Sequence, residues 1–171
     1  MKISWSVLPW LLVLVACRGL DGAGGTGVDS MPIGTLVVLH RALVIPPDQA
    51  GVFVPGTPIG DRDRYDAGCR LEVRTVNAMF RTVVADRFTV VRVERSWERF
   101  TRRESGLRHV RLDYSDGPAL LRFATALYLH SDRQPDVFRL VCSHLQDSAR
   151  NPRYLTAAEI RTVLAPVVTL P

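Results

Sequence analysis

The sequence predicts a mainly β protein: a single antiparallel domain, folded as a barrel or a sandwich, with one helix near the C-terminus. The chain has 171 residues, which is the usual size of one domain. Its 47% hydrophobic residues are enough to form one core. Most of the apolar stretches alternate with polar residues and end at Pro, Gly or Asp, which is typical of strands.

Seven stretches rich in Val, Leu and aromatic residues have the pattern of strands. They span residues 35–39, 50–54, 69–76, 88–97, 107–114, 119–130 and 137–144. An Asp116-Gly117 turn joins the fifth predicted strand to the sixth, and a short turn joins the sixth to the seventh. We therefore predict that the last three strands form an antiparallel meander.

The one predicted helix begins at Thr156. Thr156 and Glu159 have the spacing of a capping box, and Leu155 stands where a hydrophobic staple begins. Apolar residues then follow at helical spacing: Ile160, Val163 and Leu164. Pro166 predicts the end of this helix, because proline cannot continue the hydrogen-bonding pattern.

The N-terminal region is organised differently from the rest of the chain. Lys2 is followed by the apolar stretch 7–16, which has the length of a signal-peptide core. A membrane-spanning helix would need about 20 residues. Four glycines between Asp21 and Ser30 are typical of a flexible linker. We predict a signal peptide at 1–16, a tether at 17–34 and a globular β-rich domain at 35–171.

The junction of the signal peptide and the tether resembles a known processing site. Leu14-Val15-Ala16-Cys17 is similar to the lipobox of bacterial lipoproteins. The resemblance implies that Cys17 becomes the first mature residue and carries acyl chains such as palmitate, which anchor it in a membrane. Arg18 stands where inner-membrane lipoproteins of enteric bacteria have Asp, which favours the outer membrane, facing the periplasm. The alternative is an ordinary secretory signal.

Cys69 and Cys142 remain as a pair when Cys17 is assigned to the anchor. An exported protein with two remaining cysteines is expected to join them in a disulfide. Alternation places both on inner faces, together with Leu71, Val73, Phe138 and Leu140. A bridge over this separation would stabilise the fold by about 4 kcal/mol. Free thiols, or a redox or metal site that includes His144, are the alternatives, although the chain has no C-x-x-C motif.

An arginine-rich segment is the strongest candidate for binding. Seven arginines lie between residues 92 and 111, with Trp97 and Phe100 among them: Arg92, Arg95, Arg99, Arg102, Arg103, Arg108 and Arg111. Within this set Arg99, Arg102 and Arg103 form a possible anion-binding cluster for lipid head groups or glycans. A solvated hairpin is the alternative, because three glutamates offset the charge: Glu94, Glu98 and Glu104.

Other chemistry has weak support in the sequence. Three loop aspartates are spaced faintly like calcium ligands (Asp61, Asp63 and Asp66), but the glycine and glutamate of such a loop are missing. Four histidines are scattered along the chain, and a catalytic pair would have to assemble in space, for example from His109 and Asp113. The sequence therefore predicts no catalytic site, no metal, no cofactor and no enzyme. The net charge is +5, but the arginines are interleaved with acids, so nucleic acid is not an expected partner.

A second, looser resemblance covers most of the mature chain. Arg41-Ala-Leu-Val-Ile-Pro-Pro-Asp, Tyr65 with Cys69, and the cysteine near the C-terminus are similar to small proteobacterial lipoproteins without an assigned activity. The resemblance implies only the anchor and the cysteines.

We therefore expect a membrane-anchored lipoprotein of the cell envelope, held in the membrane by its N-terminal acyl chains. It would act as a non-enzymatic accessory or binding module for an envelope protein or an anionic lipid or glycan. The alternative is a periplasmic carrier that holds a lipid or another apolar ligand inside the β-domain. A packed interior would favour the first hypothesis, and an internal cavity would favour the second.

Overall fold

The computed structural model describes residues 31–54, 66–99 and 119–171 of the chain. Over these residues the chain forms strands almost throughout, with one α-helix near its end. The strands are β1 (Leu36–Leu39), β2 (Leu43–Ile45), β3 (Gly51–Val54), β4 (Gly68–Val73), β5 (Arg81–Val83), β6 (Asp86–Arg99), β7 (Leu120–His130), β8 (Val137–Asp147) and β9 (Val168–Thr169). A 3-10 turn, Ser148–Arg150, and helix α1, Ala157–Leu164, lie between β8 and β9.

Seven of the strands form one antiparallel sheet in the order β3-β4-β8-β7-β6-β1-β9. This sheet curls into a nearly closed barrel. The remaining two, β2 and β5, pair with each other in a small separate sheet. The prediction of a mainly β, antiparallel domain with a C-terminal helix is confirmed, and of the two predicted forms, barrel and sandwich, the structure has the barrel-like one.

Alternation along the strands explains how the barrel closes around one core. In β4, Cys69, Leu71 and Val73 are buried, while Arg70 and Glu72 are only partly covered. The same alternation in β1, β3, β6, β7 and β8 supplies the other walls of a continuous apolar cluster. Burial of this apolar surface is the main force that holds the sheet in its curved form.

Six of the predicted strands correspond to β1, β3, β4, β6, β7 and β8. Strands β2, β5 and β9 were not predicted, because each has only two or three residues and shows no periodicity. The predicted strand 107–114 lies outside the described residues. Strand β7 pairs with β8 along one edge and with β6 along the other, so the meander is β6-β7-β8. The prediction that 107–114 is the first strand of this meander was wrong.

Helix α1 begins as the sequence predicts. The Thr156 hydroxyl accepts a hydrogen bond from the backbone N–H of Glu159, and the Glu159 carboxylate accepts one from the backbone N–H of Thr156. Its apolar residues Ile160 and Leu164 are buried in the core, as is Leu155 before it. The helix ends at Leu164, two residues before Pro166, as expected.

Two local expectations need correction. Met31 is buried in the core and the N–H of Gly34 donates to Val90, so the folded domain includes residues that we assigned to the tether. A register shift between β4 and β8 at Glu72 also places Val137, not Phe138, in the core. The Phe138 ring instead packs edge-on against Tyr128 outside the barrel, with ring centroids 5.2 Å apart.

Strands β6 and β7 extend well beyond the strand that covers the other edge of β6. They pair from Thr89 and His130 as far as Arg99 and Leu121, whereas β1 reaches only to Thr89. A bulge at Val91 separates the two halves of β6. In the described part of the chain, no helix combines the length and hydropathy needed to cross a bilayer.

Candidate functional site

The two cysteines of the domain lie directly opposite each other on β4 and β8. Their sulfur atoms are 2.01 Å apart, which is disulfide bonding distance, and both side chains are buried. Their position in the core agrees with the prediction from alternation. The ring of His144 interacts with the backbone oxygen of Arg153, so it is held by that segment. The two cysteines are therefore positioned to form a disulfide between neighbouring strands.

The candidate binding site is a groove on the outer face of the sheet, across β4, β8, β7 and β6. Its floor consists of small or medium side chains that face away from the core: Ser96, Ala124, Ala126, Val141 and Ser143. These residues pair across strands, with Ala124 opposite Ser96 and Ser143, and Ala126 opposite Val141. Long charged side chains stand around them. The difference in side-chain length creates a concavity of 390 Å³, which is within the usual range of ligand sites.

One wall of the groove is an arginine held by a glutamate. The Nε of Arg139 donates to Glu72 at 2.7 Å, and Arg139 also reaches the hydroxyl of Tyr128 at 3.4 Å. Its pKa is raised, chiefly by the hydrogen bond to Glu72. Arg70 lies on the other side of Glu72, with 3.4 Å between the nearest nitrogen and oxygen atoms. A single glutamate is therefore shared by two guanidinium groups.

The second glutamate of the lining, Glu94, is held by Tyr128, which lies beside the groove. The Tyr128 hydroxyl donates to Glu94 at 2.6 Å, and Arg92 forms an ion pair with Glu94 at 2.7 Å. The guanidinium of Arg92 lies 3.7 Å from the centre of the Tyr128 ring, which is a cation–π contact. These contacts hold the side chains at the rim in one arrangement.

The groove contains guanidinium N–H groups that can donate to an anion. Its lining includes four arginines and two glutamates, Glu72 and Glu94. The Nε of Arg70 is buried and has no hydrogen-bond partner among the described residues. Arg122 pairs with Glu98 at 2.7 Å, but both side chains are about half exposed, at 47% and 59%. A carboxylate, sulfate or phosphate group would find guanidinium donors here.

The predicted arginine cluster is only partly described. Arg99 is exposed at the end of β6, and Arg102 and Arg103 lie outside the described residues. Within β6 the arginines are divided between two faces, because Arg92 and Arg95 are an odd number of residues apart. Arg92 lies over the ring of Tyr128, on the same face of β6 as Glu94, whereas the guanidinium of Arg95 lies over the ring of Tyr154, 5.2 Å from its centre. Of these two arginines, Arg95 is the one that lines the groove.

The groove itself was not predicted from the sequence. Its four arginines lie on four different strands, far apart along the chain, and they come together only through strand pairing: Arg70 on β4, Arg95 on β6, Arg122 on β7 and Arg139 on β8. The sequence contains one feature that indicates the groove: two short side chains, Ala124 and Ala126, lie on the same face of a long predicted strand. Small residues on the outside of a sheet leave room that neighbouring long side chains enclose.

Those of the other candidate residues that the structure describes do not assemble into a site. His40 contacts Thr169 and His130 contacts Asp132, while His144 contacts a backbone oxygen. His109, Asp113, Asp61 and Asp63 lie outside the described residues, and Asp66 is exposed. Among the residues that the structure describes, no three His, Cys, Asp or Glu side chains are grouped to hold a metal ion.

Comparison of the chain with protein-family models, with curated proteins and with solved structures finds no match. A function must therefore be argued from the groove and from the sequence motifs themselves.

Proposed function

We propose that this chain is a lipoprotein of the cell envelope, anchored through Cys17, whose β-domain is a non-enzymatic binding module. The lipobox at 14–17 and the glycine-rich stretch behind it support the anchor. The pair Cys69 and Cys142 supports export, because disulfides persist in oxidising compartments. We propose that this pair is oxidised in the mature protein, which is anchored in the outer membrane and faces the periplasm.

The observation that carries the binding role is the arginine-lined groove on the outer face of the sheet. Arg70 contributes a buried N–H that has no acceptor among the described residues, and such a group costs stability unless a partner satisfies it. Arg122 supplies a second, more accessible guanidinium. The proposed ligand is an anionic group of an envelope component, such as a lipid head group or an acidic glycan.

The alternative function, a carrier with an apolar ligand inside the barrel, has less support. Large side chains fill the space inside the curved sheet, and the most deeply buried include Phe88, Leu127 and Leu140. These residues belong to the same continuous cluster as the residues of α1. A ligand inside the barrel would have to displace them, and a close-packed core resists such displacement.

The anchor is tested by metabolic labelling with a fatty acid. We expect wild type to be labelled and Cys17→Ser to be unlabelled, because the lipid is attached to the cysteine sulfur. Cys69→Ser is the matched control, since it removes a different sulfur and leaves Cys17 in place. Equal labelling of wild type and Cys17→Ser would overturn the anchor.

The groove is tested with the full chain in vesicles of phosphatidylcholine and with fluorescent dextran sulfate as the polyanion. We expect the double change Arg70→Gln with Arg122→Gln to weaken binding by about tenfold, because it removes two guanidinium groups that can contact the anion. Binding should also fall as the salt concentration rises.

Two controls separate the groove from general charge. Arg150→Gln with Arg87→Gln removes two exposed arginines outside the groove lining and should change binding much less. Uncharged dextran should not bind. Equal losses in the two double variants, or no binding of dextran sulfate by wild type, would overturn the groove as an anion site while leaving the anchor untouched.

A further inference from the structure

From Val91 to Arg99, one edge of strand β6 pairs with no residue that the structure describes. On this side β1 pairs with β6 only from Asp86 to Thr89, and the last hydrogen bonds are those between Val90 and residues 34 and 35. The other edge of β6 is paired with β7 as far as Arg99. From Val91 to Arg99 the strand is mostly exposed, and Trp97 is 62% exposed.

These nine residues span about 30 Å, and a strand edge without a described partner can offer backbone N–H and C=O groups to another strand. Proteins usually protect such edges with charged side chains or with a bulge, and β6 has both. In β6, however, the charges alternate in sign along the strand: Arg92, Glu94, Arg95, Glu98 and Arg99. Such a pattern repels many partners but can match a copy of itself.

We infer that this edge pairs with the same edge of a second copy of the chain, antiparallel and centred on Arg95. In that register Arg92 lies opposite Glu98 of the second copy, and the symmetry repeats this ion pair. Val93 lies opposite Trp97 of the second copy, also twice. Opposite charges and aromatic–β-branched pairs directly across strands are the contacts that stabilise antiparallel sheets.

Arg95 is the one residue that meets its own counterpart in this arrangement. Its guanidinium lies over the ring of Tyr154 in its own chain, 5.2 Å from the ring centre, and Tyr154 packs against Phe123 of β7, so the guanidinium lies towards β7. This position reduces the repulsion between the two copies of Arg95. Two neighbouring registers also keep the outer faces of the two copies on one side, but both place like charges opposite each other. One places Glu94 opposite itself, and the other places Glu94 opposite Glu98.

The proposed pairing joins the two barrels through one continuous sheet. A two-fold axis perpendicular to that sheet keeps the outer face of each copy on the same side, so both grooves open in the same direction. The interaction does not depend on any ligand of the groove.

Co-purification of full-length chains with two different tags, solubilised in one mild detergent, tests the inference. Arg92→Glu places two glutamates opposite each other in both ion pairs, and Glu98→Arg does the same with two arginines. We expect each variant to capture its own kind about tenfold less than wild type captures wild type. Mixed together, however, the two variants should capture each other. Positions 92 and 98 are then both glutamate in one chain and both arginine in the other, so each pair across the interface again joins opposite charges.

The mixture is the decisive measurement. Each variant reverses a contact within its own chain, either Arg92 with Glu94 or Glu98 with Arg122, and mixing cannot repair those contacts. Recovery of capture in the mixture therefore reports pairing between chains. Arg87→Glu is the matched control, since it makes the same charge change on β6 where β1 covers the edge, and it should capture as wild type does.

A second variant keeps the inference testable if a reversed charge disturbs folding. Trp97→Ala removes a mostly exposed side chain without a change in charge, and it should also lower self-capture. Absence of capture between wild-type chains, equal capture by all variants, or failure of the mixture to recover when both variants are folded would overturn the inference. The inference would also be overturned if Arg87→Glu lost as much self-capture as Arg92→Glu and Glu98→Arg.

Discussion

The N-terminus of α1 supports a prediction about pH and stability. Four donors converge on the carboxylate of Glu159: the backbone N–H and hydroxyl of Thr156, at 2.8 and 2.9 Å, and two nitrogens of Arg153, at 2.8 and 2.7 Å. The hydrogen bonds from Arg153, followed by the one from the Thr156 backbone, lower the pKa of Glu159 from 4.5 to about 2. The ionised form is therefore bound more strongly in the folded protein than in the unfolded one.

The size of this effect is limited by solvent. A change in pKa from 4.5 to about 2 corresponds to about 3 kcal/mol for a shielded group. The Glu159 side chain is 40% exposed and that of Arg153 is 55% exposed, so water screens much of the interaction. We expect Glu159→Gln to lower the free energy of unfolding by about 1–2 kcal/mol at pH 7, which is the range measured for helix caps.

The sign of the pH dependence follows from the direction of the shift. Because the folded pKa lies below the unfolded one, the stabilisation is complete above about pH 4.5 and is lost as the pH falls towards 2. The difference between wild type and Glu159→Gln should therefore shrink over this interval. Urea unfolding followed by circular dichroism at several pH values measures it.

Asp132→Asn is the control for this experiment, because the Asp132 side chain is 98% exposed and its removal should change stability little. A difference between wild type and Glu159→Gln that is equal at pH 7 and near pH 2 would refute the reasoning, since the lost interaction would then not depend on the charge.

Two further predictions concern the sheet. Mass spectrometry of the protein from the cell envelope should show the Cys69 and Cys142 peptides linked, and fully alkylatable thiols would contradict this. The double change Cys69→Ala with Cys142→Ala should lower the free energy of unfolding by about 4 kcal/mol, since the disulfide joins residues that are 73 positions apart. Gly51→Ala should lower the free energy of unfolding by about 1–3 kcal/mol, because its Cβ would clash with the backbone carbonyl oxygen of Leu71 on the paired strand; unchanged urea unfolding would contradict this.

Much of the fold could be predicted because it depends on local patterns. Alternation in β4 placed Cys69 on the inner face, and the capping box placed the start of α1 at Thr156; the structure confirms both. The errors arose where pairing between strands changes the pattern. At Phe138 a register shift moves the side chain to the outer face, and no feature of the segment itself indicates that shift.

The candidate site was even harder to predict from local sequence patterns than the fold. The sequence directed attention to Arg99, Arg102 and Arg103, because arginines close together in the chain are easy to see. The groove instead brings Arg70, Arg122 and Arg139 together from three strands. Which strands are neighbours depends on long-range pairing, and a single sequence without an alignment carries no signal for it.

The sequence by itself therefore determined the class of fold, the inward direction of the two cysteines and the start of the helix, since each depends on residues that are near one another in the chain. The tertiary structure decided the strand order, the outer groove and how far β1 covers the edge of β6. These features result from residues that are distant in the chain and adjacent in space. Their positions are set by the burial of one shared core, which no local segment contains.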